Sequence, residues 1–187
     1  MVVKSECYKD VSSEYIVIID SDVIFNSALD VHDLILQDGR IEWFYHEWPI
    51  PKETTVWKKA YESMTKTEQN VHYMSNGFPF VFTRKSMADA AQKFTELHGI
   101  DYAGFCQRGC GKYSIRVEDS VRTRFLNLAN IFEEFEWLGF YCHNYSSDYV
   151  FTPQTQRKVH LPKLQFWSHG GITPEIEKEI RAILNLT

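Results

Sequence analysis

Glu14-Tyr15-Ile16-Val17-Ile18-Ile19-Asp20-Ser21-Asp22-Val23-Ile24-Phe25 is the stretch on which the fold turns. Tyr15 to Ile19 is a short, unbroken apolar run that stops at an acid. Continuous rather than alternating apolar residues suit a strand covered on both faces, as in a parallel sheet flanked by helices. In an extended chain residues i and i+2 point to one side, so Asp20 and Asp22 present two carboxylates together. They do so at the carboxyl end of the strand, where open α/β sheets bind their ligands. Clustered carboxylates repel unless a proton or a cation relieves them. A hard divalent ion, Mn2+ or Mg2+, takes oxygen ligands of this kind and bridges readily to a diphosphate. A solvated turn after a strand would carry the same three letters, so the apolar run before them gives the motif its weight.

Outward from that strand the chain alternates strand-like and helical patterns, which predicts an α/β domain. Residues 2–10 read as the last turns of a helix. Ile41 to Trp48 and Phe78 to Thr83 read as further strands. Ser86 is placed to cap a helix whose apolar stripe is Met87, Ala90, Ala91, Phe94 and Leu97, with Gly99 ending it. Val121, Phe125, Leu128, Phe132 and Phe135 step by fours and threes, predicting a long helix. Phe140 to His143 and Val159 to Trp167 read as strands, and Thr173-Pro174-Glu175 opens a last helix with apolar Ile176, Ile180, Ile183 and Leu184. With no repeat or linker-like tract, residues 1–187 form one domain.

The 187 residues are enough for a real core, and 15% aromatic content argues for a folded chain. A net charge of -5, with Lys and Arg scattered, excludes a non-specific nucleic-acid binder. No apolar run approaches the roughly 20 residues of a membrane span, and the first residues lack a signal-peptide pattern, so the expected address is cytoplasmic. Cys7, Cys106, Cys110 and Cys142 form no disulfide pattern, and Cys106-x3-Cys110 lacks the two further ligands of a zinc site.

The Glu14–Phe25 segment resembles the strand and D-x-D motif of A-type (GT-A) glycosyltransferases, in detail a poorly characterised group of bacterial and viral glycosyltransferase-like proteins. Asn76-Gly77-Phe78-Pro79-Phe80-Val81, Glu133-Glu134-Phe135-Glu136-Trp137-Leu138-Gly139-Phe140-Tyr141 and Trp167-Ser168-His169-Gly170-Gly171 agree in order and rough spacing. The resemblance spans about residues 4–175. It implies a three-layer domain with a mixed, mostly parallel central sheet. It also implies that the N-terminal nucleotide-binding part of that fold is missing ahead of Glu14. That leaves the Tyr15–Ile19 strand without a neighbour, a bare edge prone to association.

The activity implied is metal-dependent transfer of a sugar from a nucleoside-diphosphate sugar to a hydroxyl acceptor, carbohydrate or other. Asp20, Asp22 and a late histidine, His169, would hold the metal; Glu134 would be the base that deprotonates the acceptor, Glu133 and Glu136 being solvated helix charges. Gly170, after His169, would let backbone N–H groups approach phosphate. Ser21 joins the substrate-binding set. Trp43, Tyr45, His46, Trp48 and Trp57 form an aromatic-rich region suited to sugar faces, although at least half are expected in the core; His46 and Trp48 are the acceptor-site choices. Asn76 and Gly77 enter a strand where they would meet the donor sugar or make a plain turn. His143 and His160 read as packing or surface residues.

Two rival readings stay open. One is an inactive or partner-dependent relative that binds carbohydrate. The other is a haloacid-dehalogenase-type phosphatase, with Asp20 as nucleophile and Thr83 and Glu118-Asp119 imitating later motifs. Ile24 stands where that family has Thr or Val.

Overall fold

The computed structural model describes residues 4, 6–20, 23–25, 28, 30–47, 58, 61–62, 64–73, 79–105, 114–118, 123–127, 134–156, 163–165 and 173–184. In chain order the strands are β1 (Tyr15–Ile18), β2 (Val23–Phe25), β3 (Ile41–Glu47), β4 (Val71–His72), β5 (Phe80–Thr83), β6 (Ser114–Glu118), β7 (Thr123–Asn127), β8 (Tyr149–Pro153) and β9 (Lys163–Gln165). The helices whose bounds fall among the described residues are α1 (Arg84–His98), α2 (Glu134–Tyr145) and α3 (Pro174–Ile183), with further helical residues at 61–62, 64–65 and 102–105. Strands and helices intermix, as an α/β chain requires.

Pairing departs from the expected mostly parallel pattern. Among the described residues β1–β5, β2–β9, β3–β4 and β6–β7 are antiparallel and β3–β8 alone is parallel. An apolar run reports that a strand is covered, not the direction of its neighbour. Within β1 burial alternates, with Ile16 and Ile18 in the core and Tyr15 and Val17 half-covered. Nor does β1 lack a neighbour: β5 pairs with all of it, from Tyr15↔Thr83 to Ile18↔Phe80.

α1 follows β5 without a loop. Its cap is Thr83, whose hydroxyl accepts the Ser86 N–H at 3.0 Å; the expected cap, Ser86, is buried inside the first turn. Either hydroxyl satisfies an orphan N–H, and the earlier one wins because β5 delivers it in extended geometry. Met87, Ala90 and Phe94 are fully buried as the stripe predicts, while Leu97 stays 39% exposed. Gly99 ends the helix in the left-handed conformation at φ 66°, where a Cβ would be strained.

The long helix expected from Val121 to Phe135 does not run through Thr123–Asn127. Thr123–Asn127 is a strand paired antiparallel with Ser114–Glu118, and the described part of α2 is Glu134–Tyr145. The period-2 alternation of Val121, Thr123 and Phe125 with Arg122 and Arg124 competes with the helical spacing, and strand pairing wins. Phe140–His143, expected as a strand, lies inside α2. Its aromatics are compatible with either structure, but Glu134 through Cys142 are all buried, and a helix covered on every side shows no polar face to read. Of the expected strand Val159–Trp167, Lys163–Gln165 is strand; Thr173 caps α3 with its hydroxyl on the Ile176 N–H, as predicted.

The core lies where β1, β3, β5 and β8 meet α1 and α2. Trp43 of β3 is 1% exposed and packs on Phe80, Phe82, Tyr149 and Phe151, its indole N–H donating to the Tyr73 carbonyl at 2.8 Å. Phe135 stacks on Phe80 at 4.4 Å, and Trp137 meets Phe94 edge-on at 5.1 Å. Aromatic pairs of this kind add about 0.5–1.5 kcal/mol each beyond their burial. They fix the first turn of α2 against β5 and α1.

Candidate functional site

Asp20 lies two residues past the end of β1. Its carbonyl accepts the Val23 N–H at 3.2 Å. The carboxylate is a third exposed and accepts a hydrogen bond from the Lys4 ammonium at 2.8 Å. Lys4 also lies 6.0 Å from the ring centre of Phe135, in the first turn of α2. Lys4 thus links the D-x-D connection to the start of α2, more than a hundred residues later.

Glu134 and Glu136 occupy that first turn and are 3% and 2% exposed. A helix N-terminus, with its unpaired N–H groups and positive dipole end, tolerates buried carboxylates better than any other part of a helix. Glu134 faces the N-terminal segment: its charge helps to raise the Cys7 thiol and Tyr102 phenol, both lifted first by burial.

Glu136, expected to be a solvated helix charge, is instead buried and partnered. One carboxylate oxygen accepts the Tyr73 N–H at 3.1 Å and the other meets Nδ1 of His72. The same face of α2 makes two further contacts with this segment. Gly139 lies one turn on, and a Cβ there would collide with the Cβ of Tyr73 and come within 3.0 Å of the Trp43 ring. His143 lies two turns on, its Nδ1 2.8 Å from the Tyr73 hydroxyl. Burial raises the Tyr73 phenol and lowers the His143 imidazole, so the phenol keeps its proton and donates it. Residues 136, 139 and 143 therefore form one helix face that fastens β4 to α2.

His46, chosen for the acceptor site, sits on β3 directly opposite His72 in the ladder. It is half-buried, and desolvation first, then the charge of His72, depress its basicity. Tyr61 stacks on His72 at 5.8 Å, and Tyr45 on His143 at 6.4 Å. Of the aromatic-rich region, Trp43 is core and Tyr45 and His46 are half-covered.

Ser21, Asp22, Trp48, Trp57, Asn76, Gly77, His160, His169 and Gly170 lie outside the described residues, as do Cys106 and Cys110. Among the described residues no three His, Cys, Asp or Glu side chains form a metal cage. Glu136 and His72 were not singled out from sequence. The signal available was the 136–139–143 spacing, a glycine between an acid and a histidine on one helix face.

Among the described residues no helix is long and apolar enough to cross a membrane. Neither the curated proteins nor the solved structures contain a match to this chain. A family model does match, over residues 1–151, from the N-terminal segment to the middle of β8. The chain belongs to the family of unknown function DUF6492.

Proposed function

We propose that the chain is a metal-dependent glycosyltransferase of the A-type, three-layer fold, moving a sugar from a nucleoside-diphosphate sugar to a hydroxyl acceptor. The observation that carries this reading is the bridge made by Lys4: it ties Asp20, just beyond a core strand, to the turn of α2 that holds Glu134. The resemblance assigns metal and base roles to these two residues, distant in sequence, and the fold brings their surroundings to one end of β1.

Asp20 suits a hard cation: it is an oxygen donor, partly open, already paired with a positive charge. Asp22 and His169 would complete the ligand set. When bound, the ion supplies Lewis-acid stabilisation of the departing diphosphate. The chain's own groups do the rest. Ser21, Asn76, Gly77 and Gly170 would contact donor, and His46 and Trp48 acceptor. Glu134 is the base implied by the resemblance. Thr83, needed free by the phosphatase reading, is committed to capping α1.

Isothermal titration with Mn2+ and a panel of nucleotide sugars tests the reading. Donor binding that needs Mn2+ and disappears in D20N is expected; absence of binding for every donor would sink it.

A further inference from the structure

The N-terminal segment carries a cation into the D-x-D connection and is itself held down. Cys7 and Tyr8 pack against the core, and the Asp10 N–H closes the turn Cys7–Lys9 on the Cys7 carbonyl at 3.0 Å. Lys9 pairs with Glu6 at 2.9 Å. Lys4 stands three residues before this anchored turn, so its ammonium serves one small region. There it donates to the Asp20 carboxylate at 2.8 Å and lies 6.0 Å from the centre of the Phe135 ring. We propose that Lys4 is a donor-binding residue: its ammonium passes from Asp20 to the diphosphate of the nucleotide sugar once Asp20 holds the metal. This rests on the glycosyltransferase reading.

The pair is built for such an exchange. Lys4 and Asp20 keep 35% and 33% of their side-chain surface, so water can stand in for either while partners change. An ammonium is a compact point charge with three rotatable donors, and it turns from one oxygen to another with no plane to match. The Phe135 ring, itself fixed by stacking on Phe80 at 4.4 Å, gives the ammonium an attraction that does not depend on Asp20. The anchored turn that follows keeps any movement within the reach of the side chain.

Charge supplies the direction. Together Lys4 and Asp20 are neutral. A divalent ion on the carboxylate makes the spot positive and sets two cations beside each other, so that each repels the other. The repulsion falls when an anion lies between them, and a diphosphate offers oxygens to both at once. A neutral hydroxyl acceptor brings no such gain. The ligand of the ammonium is therefore the charged part of the donor, and Lys4 holds it alongside the ion.

Calorimetric titration of the full chain tests this, first with Mn2+ alone and then with UDP, GDP, ADP and dTDP in saturating Mn2+. K4M keeps the length of the side chain and removes its charge. It is expected to bind Mn2+ at least as tightly as wild type does. It is expected to bind the preferred nucleoside diphosphate roughly ten- to a hundredfold more weakly, the worth of a hydrogen bond to a charged group. K4R keeps a cation and should recover most of that loss. Opposite signs in the two titrations are the signature of the exchange, since a damaged fold would weaken both. The role of Lys4 is overturned, with sugar transfer left standing, if K4M loses both affinities alike, if it binds nucleoside diphosphate as well as wild type, or if K4R is no better than K4M. A wild-type chain that binds no nucleoside diphosphate and no nucleotide sugar overturns both.

Discussion

The connection after β1 and the junction of β4 with α2 both place acids next to cations or proton donors, yet they are built to opposite ends. Asp20 pairs with Lys4 while both keep about a third of their surface, at 33% and 35%. Glu136 pairs with His72 and the Tyr73 N–H at 2% exposure. Water can replace a lost partner at the first site and cannot at the second. The half-open pair is suited to exchanging its partner for a ligand, and the closed one to holding geometry. An acid free to bind must be cheap to unpair; an acid that holds two segments together must not be.

The largest expected effect follows from that contrast. E136A leaves His72 and a buried N–H without their acceptor, and removal of one member of a buried pair costs about 3–5 kcal/mol. D20A at the half-open pair should cost under about 1 kcal/mol. Urea melts of both variants measure the difference. Equal losses would erase the distinction between the two regions.

These two sites also show what could be read in the sequence. The β1 strand was legible because an apolar run ending at an acid is a local pattern. So were the Gly99 stop and the Thr173-Pro174 start, which rest on single-residue backbone chemistry. Glu136 was not legible: in Glu133-Glu134-Phe135-Glu136 it reads as a solvated helix charge, and only the close approach of Tyr73 puts it inside. Helix α2 hid for the same reason, being buried on all sides from Glu134 to Cys142, whereas the β6–β7 pair hid behind apolar residues that also fit a helical step. Contacts between segments sixty residues apart leave no periodic trace.

Gly139 sharpens the account of the closed region. Alanine is the better helix former by about 1 kcal/mol. Its Cβ would nonetheless press into Tyr73 and the Trp43 ring, and overpacking costs typically about 1–3 kcal/mol. G139A should therefore melt at lower urea with an unchanged slope. A more stable variant would mean that β4 can move away from α2 at little cost. At the cap of α1, T83A should lose about 1 kcal/mol, because the Ser86 N–H loses its acceptor.

Acid sets a smaller, graded test. His46 and His98 are depressed below the ordinary 6.5 mainly by burial, and the His98 ring N–H donates to the Met64 carbonyl at 2.7 Å. The unfolded chain then binds protons that the folded chain refuses, so stability rises with pH in this range. The contribution is complete above 6.5 and is lost as pH falls through the depressed folded values. Urea midpoints measured through that window should drop on acidification, and H98Q should flatten the drop. An unchanged slope in H98Q would show that its ring is not the group involved.

The smallest effect bears most directly on the open region. If the Asp20 carboxylate is meant for a divalent ion, Lys4 is its stand-in, holding the charge balanced at 2.8 Å until the ion arrives. Removing the ammonium costs the fold little, since a half-exposed pair contributes about 0.2–1 kcal/mol. The same quantity no longer has to be given up when the ion binds. K4A should therefore bind Mn2+ more tightly by about 1.5- to 5-fold, the equivalent of that energy. Titration of wild type and K4A with Mn2+ reads the ratio directly. A weaker K4A would mean that Lys4 helps to assemble the site instead of filling it, and the open pair would then be a structural contact like the closed one.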